Sequence, residues 1–490
     1  MSADVVGGLP LEINGINVIP DSERRGKPRQ LFWPWFAANI AVLGISYGSF
    51  LLGFGVSFWQ ATIAGVIGTV LSFLLVGFVS LAGKLASAPT MVISRAAFGV
   101  TGNKLPTIVS WALLVGWETV LVFLGAKATA TVLVLYGFND VNAAKVIGLI
   151  VMVILVAGGG ILGFTVVMRL QAFITIVTLI LTPIYMALTA KDIHWNVVKA
   201  IPGGSTAAVV GTVVFAMTGF GLGWVNSGAD YSRYLPRRVS GRSVVGWTTF
   251  GASLAPVILI VWGTLLAGSD KALNTAIQND PIGALIVLLP HNFVWVYLIV
   301  VVLGLVGGAV LDIYSSGLAL LSVGLKIPRW SAAGIDGVLM TLGAIWLLWI
   351  TSANFYLNFE GFLIALGVPI AAWCGIFLGD MVSRRSPLAE DELYSPKGRY
   401  GSVGWLAVIS MVVGTVIGWG LIYSTTPGLT WLGYLINPLG LGPAGTSAWT
   451  YSNIGVLVAL VLGFVVQWVG GTSRVRDQEA LPITGVHSGA

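Results

Sequence analysis

Twelve runs of about 20 mostly apolar residues, beginning near residues 33, 60, 105, 145, 170, 207, 244, 293, 333, 355, 403 and 452, leave this chain little choice of fold. Each run is long enough to cross a bilayer as an α-helix, and in hydrocarbon every backbone N–H and C=O must find its partner within the protein. The expectation is an all-α polytopic membrane protein with twelve transmembrane helices. Charged residues are 9% of the 490, where soluble domains run about 25%. The positive balance, +6, is therefore read by its placement and not as a nucleic-acid footprint. With the N terminus on the cytoplasmic side, 20 of the 25 Lys and Arg residues fall in inner segments. That asymmetry predicts a multi-pass protein of the cell membrane with both termini cytoplasmic.

The pattern divides the chain into a polar N-terminal arm (1–30), five helices (31–190), five more (207–380), a polar linker (381–402), two further helices (403–470) and a loosely ordered tail (471–490). Ten helices followed by two suggest a repeat of five. An odd repeat makes the second copy enter the membrane from the opposite side, so the halves are inverted. The outer connections 191–206 and 269–291 carry short apolar runs that lie along the interface, fold over a vestibule, or are plain loops.

The sixth run meets three glycines in five residues, Gly219, Gly221 and Gly223, and the first run carries Gly44, Gly48, Gly53 and Gly55. Matched interruptions in corresponding helices point to two broken helices facing one central site. The competing reading is that glycine allows close helix packing.

Acids inside spans are expensive and so mark candidate sites. Glu118 falls mid-way along the third helix and Asp312 inward of the middle of the eighth, positions that correspond in the two repeats. Either group takes and releases a proton during transport, or it makes a structural hydrogen bond. Trp117 and Trp224 also fall mid-span and offer faces on which a flat ligand can stack. Phe220 and Gly221 at the helix-six break, and Asn39 and Ser46 on helix one, complete the expected substrate site. Asp230 and Arg233 stand three apart at the cytoplasmic end of helix six, close enough to pair as a gate or structural lock. One cysteine and three scattered histidines offer no metal centre and no catalytic cluster. The expectation is accordingly no enzyme and no cofactor, with H+ or Na+ as coupling ion, and neither nucleic acid nor an obligatory protein among the partners.

Several stretches carry a resemblance over most of the chain: INGINVIPDSERRGKPRQLFWPWFAANI (13–40), SRAAFGVTGNKLP (94–106), VGWE (115–118), GWVNSGADYSRYLP (223–236), IYSSGL (313–318) and FEGFLIALGVPIAAWCGIFLGD (359–380). The chain resembles the nucleobase-cation-symport-1 family, which includes the purine-cytosine permeases and the hydantoin and allantoin transporters. The resemblance implies a leucine-transporter-type five-plus-five inverted repeat plus two helices, and a secondary symporter importing a planar heterocycle by alternating access. It implies that Trp224 and Trp117 are the helix-six and helix-three aromatics that hold the ring, and that Ser46 lies near the helix-one substrate position. It also implies that backbone carbonyls around Ala38 and Ala41 form the helix-one side of a cation site. The chain departs from the family where helix eight carries Gly308, Ala309 and Leu305 in place of polar residues, and where Leu114 replaces an amide. With those ligands gone, proton coupling through Glu118 or Asp312 is the favoured expectation. A carrier of amino acids, or of thiamine- or pyridoxine-like vitamins, with the same fold is the alternative.

Overall fold

The structure, a computed structural model, describes residues 14–350 and 354–481 together with residues 5, 6, 9, 10 and 12. Among the described residues nine helices are long and apolar enough to cross a membrane, and two bent pairs pass the same test together. The eleventh expected span falls on a shorter apolar helix, Trp405–Gly420. In chain order, span 1 is Phe32–Asn39 with Leu43–Leu52, span 2 Phe58–Ala86, span 3 Lys104–Leu135, span 4 Val141–Leu162 and span 5 Phe164–Thr189. Span 6 is Thr206–Gly219 with Gly221–Trp224, span 7 Gly241–Ser269, span 8 Val294–Val323, span 9 Arg329–Trp349 and span 10 Phe355–Ser383. Spans 11 and 12 are Trp405–Gly420 and Gly455–Gly470. Outside the helices, the described residues contain one two-residue strand pair, Val5–Val6 with Leu9–Pro10.

The packing obeys the expected repeat. Exchanging each span with the one five places later maps the contact of spans 1 and 7 onto that of 6 and 2, and the contact of 3 and 9 onto that of 8 and 4. Spans 2 and 7, and 3 and 8, pair with their own counterparts. Two groups result, spans 1, 2, 6 and 7 and spans 3, 4, 8 and 9, with span 5 against 1 and 8 and span 10 against 3 and 6. Spans 11 and 12 pack on span 10.

Both expected breaks exist, but span 1 breaks elsewhere than its glycines suggest. The helix is interrupted at Ile40–Val42, and the two pieces meet at 65°. Gly44 and Gly48 lie inside the second piece, where they let span 7 approach. A Cβ on Gly48 would stand 2.1 Å from Thr264 N, and one on Gly263 would stand 1.7 Å from Ile45 O. The glycines of span 1 therefore serve close packing, the role small residues play between membrane helices. In span 6 the break falls at Phe220, whose φ −122° and ψ −104° belong to no helix. Gly219 and Gly221 are tight on either side of it: a Cβ on the first would strike the Tyr47 ring at 2.4 Å and on the second the Ser72 backbone at 2.2 Å.

The connection 269–291 contains a helix, Lys271–Asn279, and docks on the second half of span 1, where Ser49 bonds Asn274. The segment expected as a linker is fastened as well, through Arg237 to Glu390 at 2.7 Å and Arg384 to Asp380 at 2.7 Å. The tail corrects its expectation of loose order as far as Leu481. Thr472–Ala480 is a helix, in which Arg474 donates to Tyr400 O at 2.7 Å and Gln478 accepts from Arg384 at 2.9 Å. The last nine expected tail residues lie outside the described residues.

Candidate functional site

Where the two breaks face one another lies a small cavity of about 50 Å³. Span 1 contributes Ala38, Asn39, Ala41, Leu43, Gly44 and Tyr47; span 3 contributes Trp117 and Leu121; span 6 contributes Gly219, Phe220 and Trp224; span 8 contributes Asp312. The breaks explain this meeting of elements. Unwound backbone is tolerated at membrane depth only where it lines a cavity or is buried in protein.

Both tryptophans are locked by T-shaped ring contacts, Trp117 against Phe359 at 5.4 Å and Trp224 against Trp35 at 5.7 Å. Tyr47 donates its hydroxyl to Gly219 O at 2.9 Å, tying the second half of span 1 to the break of span 6. Asn39 donates Nδ2 to Trp35 O at 2.8 Å. Asp312 is buried, and neither carboxyl oxygen has a hydrogen-bond partner among the described residues.

Seven of the expected site residues therefore share this cavity: Trp117, Trp224, Phe220, Asn39, Ala38, Ala41 and Asp312. Three do not line it. Ser46 turns away and donates its hydroxyl to Pro281 O in the outer connection. Gly221 faces span 2, its N–H donating to Ser72 Oγ at 3.1 Å. Glu118, one residue from Trp117 and so about 100° round the helix, points behind the cavity wall. It is 0% exposed, with both oxygens unpartnered among the described residues, and its neighbours are Asp336, Ser316 and Asp312. Asp336 itself accepts from Trp111 Nε1 and Ser316 Oγ, each at 2.8 Å. Leu114 is off the cavity as well, and Leu121 occupies the wall instead. Leu121 was legible, since it stands four residues after Trp117 and shares its face. Asp336 was legible too, as a third acid within a predicted span.

The expected pairing of Asp230 with Arg233 is not the contact that forms. Asp230 accepts from Thr90 N at 2.8 Å and Thr90 Oγ1 at 2.9 Å, joining the end of span 6 to the loop after span 2. Burial pushes its pKa up to about 6 against the opposing pull of the Thr90 bonds, Ser315 and Arg233. Arg233 turns the other way and meets Glu12 of the N-terminal arm at 3.4 Å. Arg329, at the start of span 9, reaches the same carboxylate at 3.3 Å. Glu12 also accepts from Tyr234 Oη at 2.5 Å, Tyr314 Oη at 3.0 Å and Phe164 N at 2.8 Å. One acid from the arm thus ties the end of span 6 to spans 5, 8 and 9, at the end of the bundle rich in basic residues. No sequence pattern singles out Glu12 within a polar arm.

Removing one partner of a buried ion pair costs about 3–5 kcal/mol, and here two buried guanidinium groups share one carboxylate. Glu12→Ala is expected to loosen this end of the bundle, seen by mass spectrometry as faster amide exchange in the arm and at 228–236. Unchanged exchange would show that the arm merely rests there.

A family model described as permease for cytosine/purines, uracil, thiamine, allantoin matches residues 18–440. A Bacillus subtilis (strain 168) protein named for purine and cytosine permeation, YxlA, is 26% identical over 96% of this chain and 99% of its own length. The cytosine permease of Escherichia coli (strain K12) is 25% identical over 82% of this chain and 87% of its own. Among solved structures the chain is similar to Mhp1, a nucleobase-cation-symport-1 family transporter, in a closed conformation with bromovinylhydantoin bound. The TM-score is 0.66 at 18% identity, covering 94% of this chain and 97% of that one. A Na+-coupled sialic acid symporter shares the fold at a TM-score of 0.58 and 12% identity, over 91% and 90% of the two chains. The matched span of sequence, the paired helix breaks and the contacts repeated between the two halves agree: this chain belongs to the nucleobase-cation-symport-1 family of membrane permeases, and it is a transporter and not an enzyme.

Proposed function

We propose that this protein is a secondary symporter that brings a nucleobase or related planar heterocycle into the cell by alternating access, driven by protons. The observation that carries the reading is the cavity at the meeting of the two helix breaks, with Trp117 and Trp224 both in its wall. Two indoles beside a carboxyl group suit a flat ring with a polar edge. The basic asymmetry of the chain supports a place in the plasma membrane with both termini cytoplasmic. The Glu12 network then closes the cytoplasmic side.

Proton coupling is favoured by Glu118. It sits in the membrane beside two other acids, and no Lys, Arg or His pairs with any of the three among the described residues. Acids buried without a cationic partner suit a role in taking up and releasing protons. Sodium has one observation on its side, since Asp312 lines the cavity with Ala38 and Ala41. Against it, span 8 approaches span 1 there through glycines. A Cβ on Gly307 would stand 2.5 Å from Ala37 O and on Gly308 3.4 Å from Ala38 O, and Gly308 and Ala309 supply no hydroxyl.

The test is a ligand-stabilisation panel on the purified protein, with nucleobases and amino acids, with and without Na+, across pH. A ligand at 100 times its Kd stabilises by roughly 2.7 kcal/mol, enough to shift the melting temperature measurably. Heterocycles are expected to stabilise without Na+ and amino acids are not. Stabilisation by amino acids alone would overturn the reading.

A further inference from the structure

A second cavity, of about 290 Å³, lies where spans 2 and 10 end side by side, span 2 at Ala86 and span 10 at Ser383. Ala82 and Leu85 of span 2 and Phe377 and Met381 of span 10 form its walls, and Ala96 and Ala97 its floor. The floor makes no polar demand of an occupant, because the Ala96 carbonyl accepts from Gln478 Nε2 at 3.3 Å and the Ala97 carbonyl from Arg474. Leu71, Phe78 and Leu85 recur at seven-residue spacing, which keeps them nearly on one face of span 2, and all three are exposed. The stripe that span 2 turns toward the bilayer therefore runs into the cavity. The rim just beyond the helix ends is cationic. Arg384 is neutralised by Asp380, to which it donates at 2.7 and 3.1 Å. Arg385 is exposed, and among the described residues only its backbone N–H is engaged, by Glu479 at 2.8 Å. The same Glu479 oxygen accepts from Ser386 N at 2.7 Å, so that acid is turned to the backbone and the Arg385 guanidinium has no counter-ion.

We propose that this cavity binds an anionic phospholipid of the cytoplasmic leaflet, with its phosphate on Arg385 and one acyl chain between spans 2 and 10. The proposal takes only the side of the membrane from the reading above. Apolar walls that open to lipid beneath an unpaired guanidinium match an acyl chain beneath a negative headgroup, and basic pockets between helices on this side of a membrane take such headgroups. A soluble anion would meet the exposed guanidinium alone, a contact that water screens, and would bury none of the apolar wall. A zwitterionic lipid would cover the walls equally well but would bring an ammonium group to a rim that already has a spare cation.

Native mass spectrometry of the purified full-length protein in neutral detergent tests this, with phosphatidylglycerol and phosphatidylcholine of the same chains titrated separately. The first phosphatidylglycerol is expected to bind about five-fold more tightly than phosphatidylcholine, the worth of one basic residue beside an anionic headgroup. Arg385→Ala is expected to erase that preference. Arg238→Ala, which removes an exposed arginine outside the cavity, is expected to leave it unchanged. Because the Arg385 side chain makes no bond that the fold would lose, its alanine variant is expected to melt with the wild type in lipid-free detergent, which separates lost binding from misfolding. Leu85→Trp narrows the mouth on the bilayer side and is expected to weaken both lipids alike. Equal binding of the two lipids by the wild type would overturn the proposal, as would equal losses in Arg385→Ala and Arg238→Ala. Displacement of phosphatidylglycerol by glycerol 3-phosphate would assign the rim to a soluble anion and overturn it too. No heterocycle and no gradient enter the measurement, so its failure leaves the transport reading standing.

Discussion

Trp117→Ala and Trp224→Ala are each expected to weaken heterocycle binding by roughly 10- to 100-fold, since stacking on an aromatic side chain is worth about 1–3 kcal/mol per base. The two residues come from different groups of spans, Trp117 from span 3 and Trp224 from span 6, so a ring held by both would bridge the two groups. Both rings are buried and held by edge contacts to Phe359 and Trp35. An alanine there also leaves a void, at about 3–5 kcal/mol of stability. Trp117→Phe and Trp224→Phe control for this, because they keep a face and most of the volume and are expected to retain most of the affinity. Calorimetric titration of the four variants decides the matter. Alanine variants that fold and bind as tightly as wild type would reduce both tryptophans to packing and favour an amino-acid carrier.

The second large effect is expected at Glu118. Glu118→Gln removes the exchangeable proton but keeps shape and hydrogen-bonding capacity, and the side chain lies outside the cavity wall. Accumulation against a gradient should therefore be abolished, while exchange of internal for external heterocycle survives. Since Asp336 and Ser316 adjoin Glu118, Asp336→Asn is expected to alter the pH dependence of uptake without abolishing exchange. Preloaded proteoliposomes separate accumulation from exchange. Normal pH-driven accumulation by Glu118→Gln would remove this residue from coupling.

Much of the fold was legible because bilayer thickness fixes helix length and the hydrophobic pattern is read one span at a time. The starts near 141, 206, 241 and 294 fall within a few residues of expectation. The break of span 6 was legible because Gly219 and Gly221 flank it. The break of span 1 was misplaced because glycine has two uses. Gly48 answers to the backbone of span 7 and Gly44 to its Leu259 side chain, which no local pattern reveals. The same limit explains the site. Trp117, Trp224 and Asp312, singled out by depth and, for the tryptophans, by the resemblance, line the cavity, whereas Ser46 and Glu118, assigned there by depth or resemblance, face elsewhere. Ser46 turned out to answer to Pro281, and Glu118 to lie near Asp336 and Ser316. Arg233 was matched to the nearest acid in sequence, whereas its partner, Glu12, is 221 residues away.

The cavity between the two breaks is proposed to carry a flat heterocycle across the membrane at the expense of a proton gradient. Uptake of radiolabelled cytosine into proteoliposomes holding the purified protein tests it most directly, with a pH gradient, a Na+ gradient or neither imposed. Accumulation under the pH gradient, undiminished without Na+ and abolished in Trp224→Ala, is the result predicted here. Accumulation driven only by Na+, or equal entry in empty vesicles, would contradict it.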